Sequence, residues 1–163
     1  MTKIEFRPIG IIHSPFGSPT GMPIQPAGAE GVAGHVEIFA EFQAGLRDLD
    51  GFSHLILLYH FHRSDGFDLE VVPFLDTQSR GLFATRAPRR PNPLGLSVVR
   101  LLSVTEGVLH VTDLDILNGT PLLDIKPYVP AFDAPHDVRI GWFERAGQRV
   151  LAEKSDDRFQ KGS

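Results

Sequence analysis

Proline and glycine break this chain into short pieces. The sequence carries 13 prolines and 16 glycines among 163 residues, and both destabilise the interior of a long helix. The apolar residues follow the same punctuation. Their longest uninterrupted run is Leu55 to Tyr59, far short of the ~20 residues a membrane-spanning helix needs. What remains is a series of short strand-like segments at turn-rich spacing, which predicts a mainly β domain, either barrel or sandwich.

The segments read as follows. Ile4 to His13 is a strand whose phase shifts at Pro8, as at an edge or bulge. Ser14 to Gly34 holds four prolines and five glycines and reads as a long loop, a length that usually signals function or disorder. His35 to Phe39 is a short strand, and Phe42 to Leu49 one or two helical turns. Ser53 to Phe61 is apolar nearly throughout and reads as a strand buried on both faces. Turns at Arg63 to Asp68 and Asp76 to Gly81 precede a short strand at Leu82 to Thr85. Pro88, Pro91 and Pro93 forbid regular structure until Gly95. Leu96 to Val104 and Val108 to Leu114 then form a hairpin across Glu106-Gly107, and Val138 to Phe143 is a last strand. No βαβ alternation or G-x-G-x-x-G loop follows a strand, which argues against a Rossmann-type fold.

Composition narrows the class. Apolar residues make up 42% and charged residues 22% of the chain, ordinary for a globular domain. There is no cysteine, which excludes disulfides, thiolate metal sites and cysteine nucleophiles. The formal net charge of −4 provides no global electrostatic footprint for nucleic acid. The N-terminal residues lack an apolar core, so no secretory signal is expected.

Four stretches could carry chemistry. Between Arg80 and Arg100 lie five arginines and no acid, counting both ends. Three prolines there stiffen a loop presenting Arg86, Arg89, Arg90 and Asn92. Guanidinium forks suit carboxylates and phosphates and stack on bases, and a rigid loop loses little entropy on binding. The plainer alternative is a solvated basic connector. Asp113 to Tyr128 contains an Asn118-Gly119 turn rich in backbone donors, with Asp124 and Lys126 two apart and on one side if extended. That stretch suits a ribose or amine, or simply a turn plus an ion pair. His60 and His62 share a strand face, but no further ligand follows at metal spacing. No metal is expected; one imidazole should line a pocket at the strand end and the other pack. Finally, Gln25 is held near Pro23 and Pro26, where its amide could read an adenine edge or be an ordinary loop residue. No nucleophile elbow, Walker loop or paired catalytic carboxylates appear.

Together these stretches resemble the TsaA-like family, also called YaeB or TrmO. The resemblance lies in Ile9 to Phe16, Gln25-Pro26, Gly51 to Leu55, Phe83 to Arg86, Arg90 to Gly95, Asp115 to Pro121 and Asp124 to Tyr128. It implies a single non-Rossmann β-barrel of the methyltransferase type, with short helices and long loops, over residues 1–145, followed by a polar tail at 146–163. It also implies S-adenosylmethionine as cofactor, bound by Gln25, Pro26, Ala27, His62, Arg63, Arg86, Leu96, Asp115, Ile116, Leu117 and Asn118. The implied substrate is tRNA, methylated on the exocyclic nitrogen of threonylcarbamoyladenosine beside the anticodon by a cytoplasmic homodimer. Arg89, Arg90, Asn92 and Lys126 are the expected substrate contacts, with a guanidinium reading the threonyl carboxylate.

Two departures qualify that expectation. Asn118 stands where family members usually carry Asp, keeping the acceptor oxygen and losing the charge. The chain also ends soon after the barrel, where better-known bacterial members carry a C-terminal domain. Two alternatives therefore stand beside the tRNA reading: a non-catalytic anion- or RNA-binding β module, and a methyltransferase for a small molecule. The residue that removes the acceptor's proton stays open among Arg90, Lys126 and a histidine.

Overall fold

The structure, a computed structural model, describes residues 1–23 and 26–146. Its strands are β1 (Gly10–His13), β2 (Gly34–Ile38), β3 (His54–His60), β4 (Glu70–Val71), β5 (Arg80–Gly81), β6 (Leu94–Thr105), β7 (Val108–Thr112) and β8 (Thr120–Pro127). Six of them close into a barrel in the order β1-β2-β7-β6-β3-β8, every pairing antiparallel. β4 and β5 form a separate two-stranded ribbon. The mainly β barrel with short helices and long loops is thus the fold. Among the described residues its helices are 3-10 turns and two four-residue α-helices, α1 (Pro130–Asp133) and α2 (Phe143–Ala146).

Inward positions at period two supply the core. β3 contributes Leu55, Leu57 and Tyr59; β6 contributes Val99 and Leu101; β7 contributes Leu109 and Val111. Ile12, Val36, Ile38 and Leu122 complete the interior, with Leu114 and Ile116 sealing it after β7. Each such side chain is worth roughly 1.5–3 kcal/mol when fully buried. The β6–β7 hairpin turns on Glu106 and Gly107, at φ 49° and 78°, the left-handed pair that a tight hairpin requires.

Five expectations are corrected. β3 alternates between buried and half-buried residues, so it is not buried on both faces; its outer side chains sit on the barrel's outside. The first strand begins at Gly10 rather than Ile4, because Gly10 already pairs with the last residue of β2, Ile38, and beyond it only Ile9 adds backbone bonds, to Leu122 and Phe39. Leu82–Ala84 is a 3-10 turn, not a strand, since only Leu82 is buried there and Thr85 Oγ1 folds back onto the Leu82 carbonyl at 2.7 Å. Residues 138–143 form no strand; a closed barrel offers no edge to join. Most consequential is β8, read in the sequence as a turn region, which closes the barrel between β1 and β3. Pro121 is tolerated because it pairs with β1 only, the β3 ladder starting at Leu122. Of the expected polar tail, Ala146 is buried at the end of α2 and residues 147–163 lie outside the described residues.

Candidate functional site

One end of the barrel opens into a cavity of about 390 Å³, within the roughly 300–1,000 Å³ range of small-molecule sites. Its walls come from segments distant in sequence. Tyr59, Phe61, His62 and Arg63 arrive where β3 runs out, and Leu94 to Leu96 where β6 begins. Thr85 to Pro88 and Arg90 come from the proline-stiffened loop, Asp115 to Leu117 from the loop before β8. Pro19, Met22 and Pro23 contribute from the long first loop, Trp142 and Phe143 from the start of α2. Two glycines, one in a strand and one in a turn, make this possible. The Tyr59 ring lies across Gly95, where a Cβ would overlap it, and Gly119 turns the chain into β8 at φ 80°.

A buried polar chain forms part of the wall. Tyr59 Oη lies 2.9 Å from Ser97 Oγ, and Ser97 Oγ donates to Asp115 Oδ1 at 2.6 Å. With the serine proton committed to the carboxylate, the phenol donates to the serine. Burial pushes the Asp115 carboxyl up to about 7, against the opposing pull of the Ser97 bond, its own backbone N–H and the Arg86 charge. Burial, reinforced by the Asp115 charge, also drives the Tyr59 hydroxyl far above its ordinary range, so it stays a donor. His62 is held below the usual imidazole range by burial first, then by His60 and the Arg63 charge. It therefore favours the neutral form, able to accept a proton at a ring nitrogen.

The charged lining is lopsided: Arg63, Arg86 and Arg90 against the single carboxylate Asp115 among the described residues. Arg63 is steadied by the Gly17 carbonyl at 3.0 Å. Arg90 Nη1 caps the carbonyls of Thr85, Ala87 and Leu82 at 2.9, 3.2 and 3.4 Å. One nitrogen makes all three bonds, so Nε and Nη2 are available to a ligand among the described residues.

Of the residues expected at the cofactor, His62, Arg63, Arg86, Leu96, Asp115, Ile116 and Leu117 line this cavity. Asn118 does not: its Oδ1 accepts from the Ser14 N–H at 3.0 Å and staples the first loop to the turn before β8. Pro26 and Ala27 begin a 3-10 turn, Pro26–Ala29, and Gln25 lies outside the described residues. Of the expected substrate contacts only Arg90 lines the cavity. Arg89 is tied to the Asp65 carbonyl at 2.9 Å and to Asp68 at 3.7 Å. The Asn92 carbonyl accepts from Leu94 N at 2.7 Å. Lys126 pairs with Asp124 at 2.8 Å, side by side on β8 as their spacing suggests.

Sequence reasoning missed Tyr59, Ser97 and the aromatic wall of Phe61, Trp142 and Phe143. One signal existed: Ser97 is a hydroxyl at an inward position of β6, between Gly95 and Val99. His13, His35 and His110, scattered in sequence, come together across β1, β2 and β7, with ring centroids 4.6 and 6.4 Å apart. Among the described residues no His, Asp and Glu cluster is arranged to hold a metal ion.

The chain is similar to known proteins in sequence and in overall fold. A family model described as the tRNA-methyltransferase O N-terminal domain matches residues 11–134. A probable S-adenosyl-L-methionine-binding protein of Pyrococcus abyssi is 53% identical over 96% of this chain and 85% of its own length. A tRNA (adenine(37)-N6)-methyltransferase of Escherichia coli is 35% identical over 93% of this chain and 69% of its own. The crystal structure of TrmO from Pseudomonas aeruginosa superposes with a TM-score of 0.73 at 39% identity, covering 86% of this chain. The match spans 63% of that solved chain, less than two thirds of it.

Proposed function

We propose a function from one premise: the chain belongs to the tRNA-methyltransferase O N-terminal-domain family. On that basis it is an S-adenosylmethionine-dependent methyltransferase acting on tRNA. The observation that carries this reading is the cavity's combination of aromatic walls, three guanidiniums and one buried carboxylate. A zwitterionic sulfonium cofactor carries an adenine, a carboxylate and two positive centres. Aromatic rings suit its base, guanidiniums its carboxylate, and Asp115 its positive end. Arg86 and Arg63 are the residues we assign to the carboxylate, and Asp115, braced through Ser97 by Tyr59, to the positive charge.

When bound, S-adenosylmethionine supplies an electrophilic methyl group. The chain's own contribution is alignment and proton handling. Neutral His62 accepts the acceptor nitrogen's proton at a ring nitrogen, the role its unprotonated state and place in the wall support. Arg90, with Nε and Nη2 available, holds an anionic group of the acceptor. That assignment favours threonylcarbamoyladenosine, whose threonyl carboxylate a guanidinium can grip, over plain adenosine. Lys126, already paired on β8 outside the cavity, is not the proton acceptor in this reading. A homodimer working in the cytoplasm completes the proposal, since joining two arginine loops offsets the chain's net negative charge toward RNA.

Calorimetric titration with S-adenosylmethionine, followed on the same sample by methyl transfer to tRNA with and without the threonylcarbamoyl group, tests the reading. Binding with transfer only to the modified tRNA is the expected result. Binding without transfer to either RNA overturns the tRNA assignment and leaves the cofactor site. Absence of binding overturns the methyltransferase reading. Light scattering of the same sample checks the dimer.

A further inference from the structure

The turn Leu82–Ala84 fixes its backbone from several directions and leaves an aromatic ring in solvent. Phe83 is 74% exposed, while Leu82 beside it is 1% exposed and packs with Val71 and Ala87. Thr85 Oγ1 and Arg90 Nη1 both donate to the Leu82 carbonyl, at 2.7 and 3.4 Å. Trp142 Nε1 donates to the Ala84 carbonyl at 2.8 Å. The Arg90 guanidinium carbon then sits 5.7 Å from the Phe83 ring centroid, over the ring. No second aromatic ring packs on Phe83 among the described residues. The barrel gains little burial energy from a large apolar side chain at this point, because most of the ring lies in water.

The surroundings say what such a ring is for. Arg90 covers one face and also lines the cavity, so Phe83 stands beside the cavity's edge. Arg80 and Arg89 are balanced by Asp76 and Asp68, whereas Arg90 has no carboxylate partner among the described residues. An exposed aromatic face beside an uncompensated guanidinium matches a base attached to a phosphate backbone, and matches an apolar peptide side chain poorly.

We propose that Phe83 is a stacking platform for an unpaired nucleobase of the RNA loop whose neighbouring base enters the cavity. The platform rests on the tRNA reading above. It works by stacking, which is sequence-tolerant, while the cavity discriminates the base to be methylated. Arg90 holds the ring from beneath, its donors stay with the acceptor's anionic group, and its charge attracts the adjoining phosphate.

The test uses the full chain and a labelled anticodon stem-loop RNA carrying threonylcarbamoyladenosine. Fluorescence anisotropy measures RNA affinity and calorimetry measures S-adenosylmethionine affinity. Phe83→Ala is expected to weaken RNA binding about tenfold, roughly 1.4 kcal/mol, in the range for one stacked base. Its cofactor affinity should stay within about twofold of the parent's, since one rim ring is removed and the cavity wall is kept. Phe83→Tyr should keep the RNA affinity and Phe83→Leu should lose it. RNA binding unchanged in Phe83→Ala, or retained in Phe83→Leu, overturns the platform and leaves the function standing. A loss of dimer mass in Phe83→Ala also overturns it, because the face would then belong to a second copy. A parent chain that binds the cofactor but not this RNA overturns the tRNA reading and the platform together.

Discussion

Replacing Asp115 with asparagine should remove a pH-dependent weakness built into the barrel. A carboxyl that ionises at 3.8 in the unfolded chain and at about 7 in the fold disfavours the charged folded state. At ~1.4 kcal/mol per tenfold change in proton affinity, the full penalty is about 4 kcal/mol. Below pH 3.8 both states hold the proton and the penalty is absent. Between about pH 4 and pH 7 the folded state binds more protons than the unfolded one, so stability falls as pH rises, and above about pH 7 the loss is complete. Over about pH 5 to 8 the penalty grows by about 3 kcal/mol. The asparagine side chain would keep an oxygen to accept from Ser97 and carry no charge. Urea unfolding followed by circular dichroism, for both proteins at about pH 5 and about pH 8, gives the difference directly. Asp115→Asn should gain about 3 kcal/mol on its parent between those pH values, whatever constant offset the amide introduces. Equal pH dependence in the two proteins refutes the argument, because Asp115 would then ionise as readily in the fold as in water.

Three further outcomes follow from the geometry. Arg86→Ala should weaken S-adenosylmethionine binding at least about tenfold, the scale of one charge-assisted contact; unchanged affinity by calorimetry removes Arg86 from the cofactor site. Gly95→Ala should destabilise the barrel by about 1–3 kcal/mol, the cost of overpacking, because the new methyl overlaps the Tyr59 ring; an unaltered thermal midpoint contradicts that packing. Arg89→Ala should reduce the salt dependence of RNA binding by about one counterion, and an unchanged slope limits Arg89 to bracing its loop against Asp65 and Asp68.

Much of the fold could be read from the chain. The short apolar alternations predicted strands, and Glu106-Gly107 marked the hairpin. The Pro88-to-Pro93 segment read as irregular, and β6 starts one residue ahead of Gly95, at Leu94. β8 escaped notice for a definite reason: Pro121, Asp124, Lys126 and Pro127 oppose its strand pattern residue by residue. Two neighbours override them, since β1 and β3 both pair with it. The opposite error befell residues 138–143, strand-like in pattern but facing a barrel with no edge left to join.

The site divides along the same line. His62 was visible at a strand end and Arg86, Arg90 and Asp115 as polar groups on loops, each one at a time, and the family resemblance grouped them. Tyr59, Ser97 and Trp142 were not, because each looks like core or surface in its own segment. Alternation along a strand, turn chemistry and the stiffness of a proline-rich loop are local properties. They depend on neighbours within a few residues, so the sequence alone determined them. Which inward hydroxyl meets which carboxylate depends on barrel register and closure. Those bring residues 59, 97 and 115 within hydrogen-bonding distance and desolvate the carboxyl, and only the tertiary structure decided them.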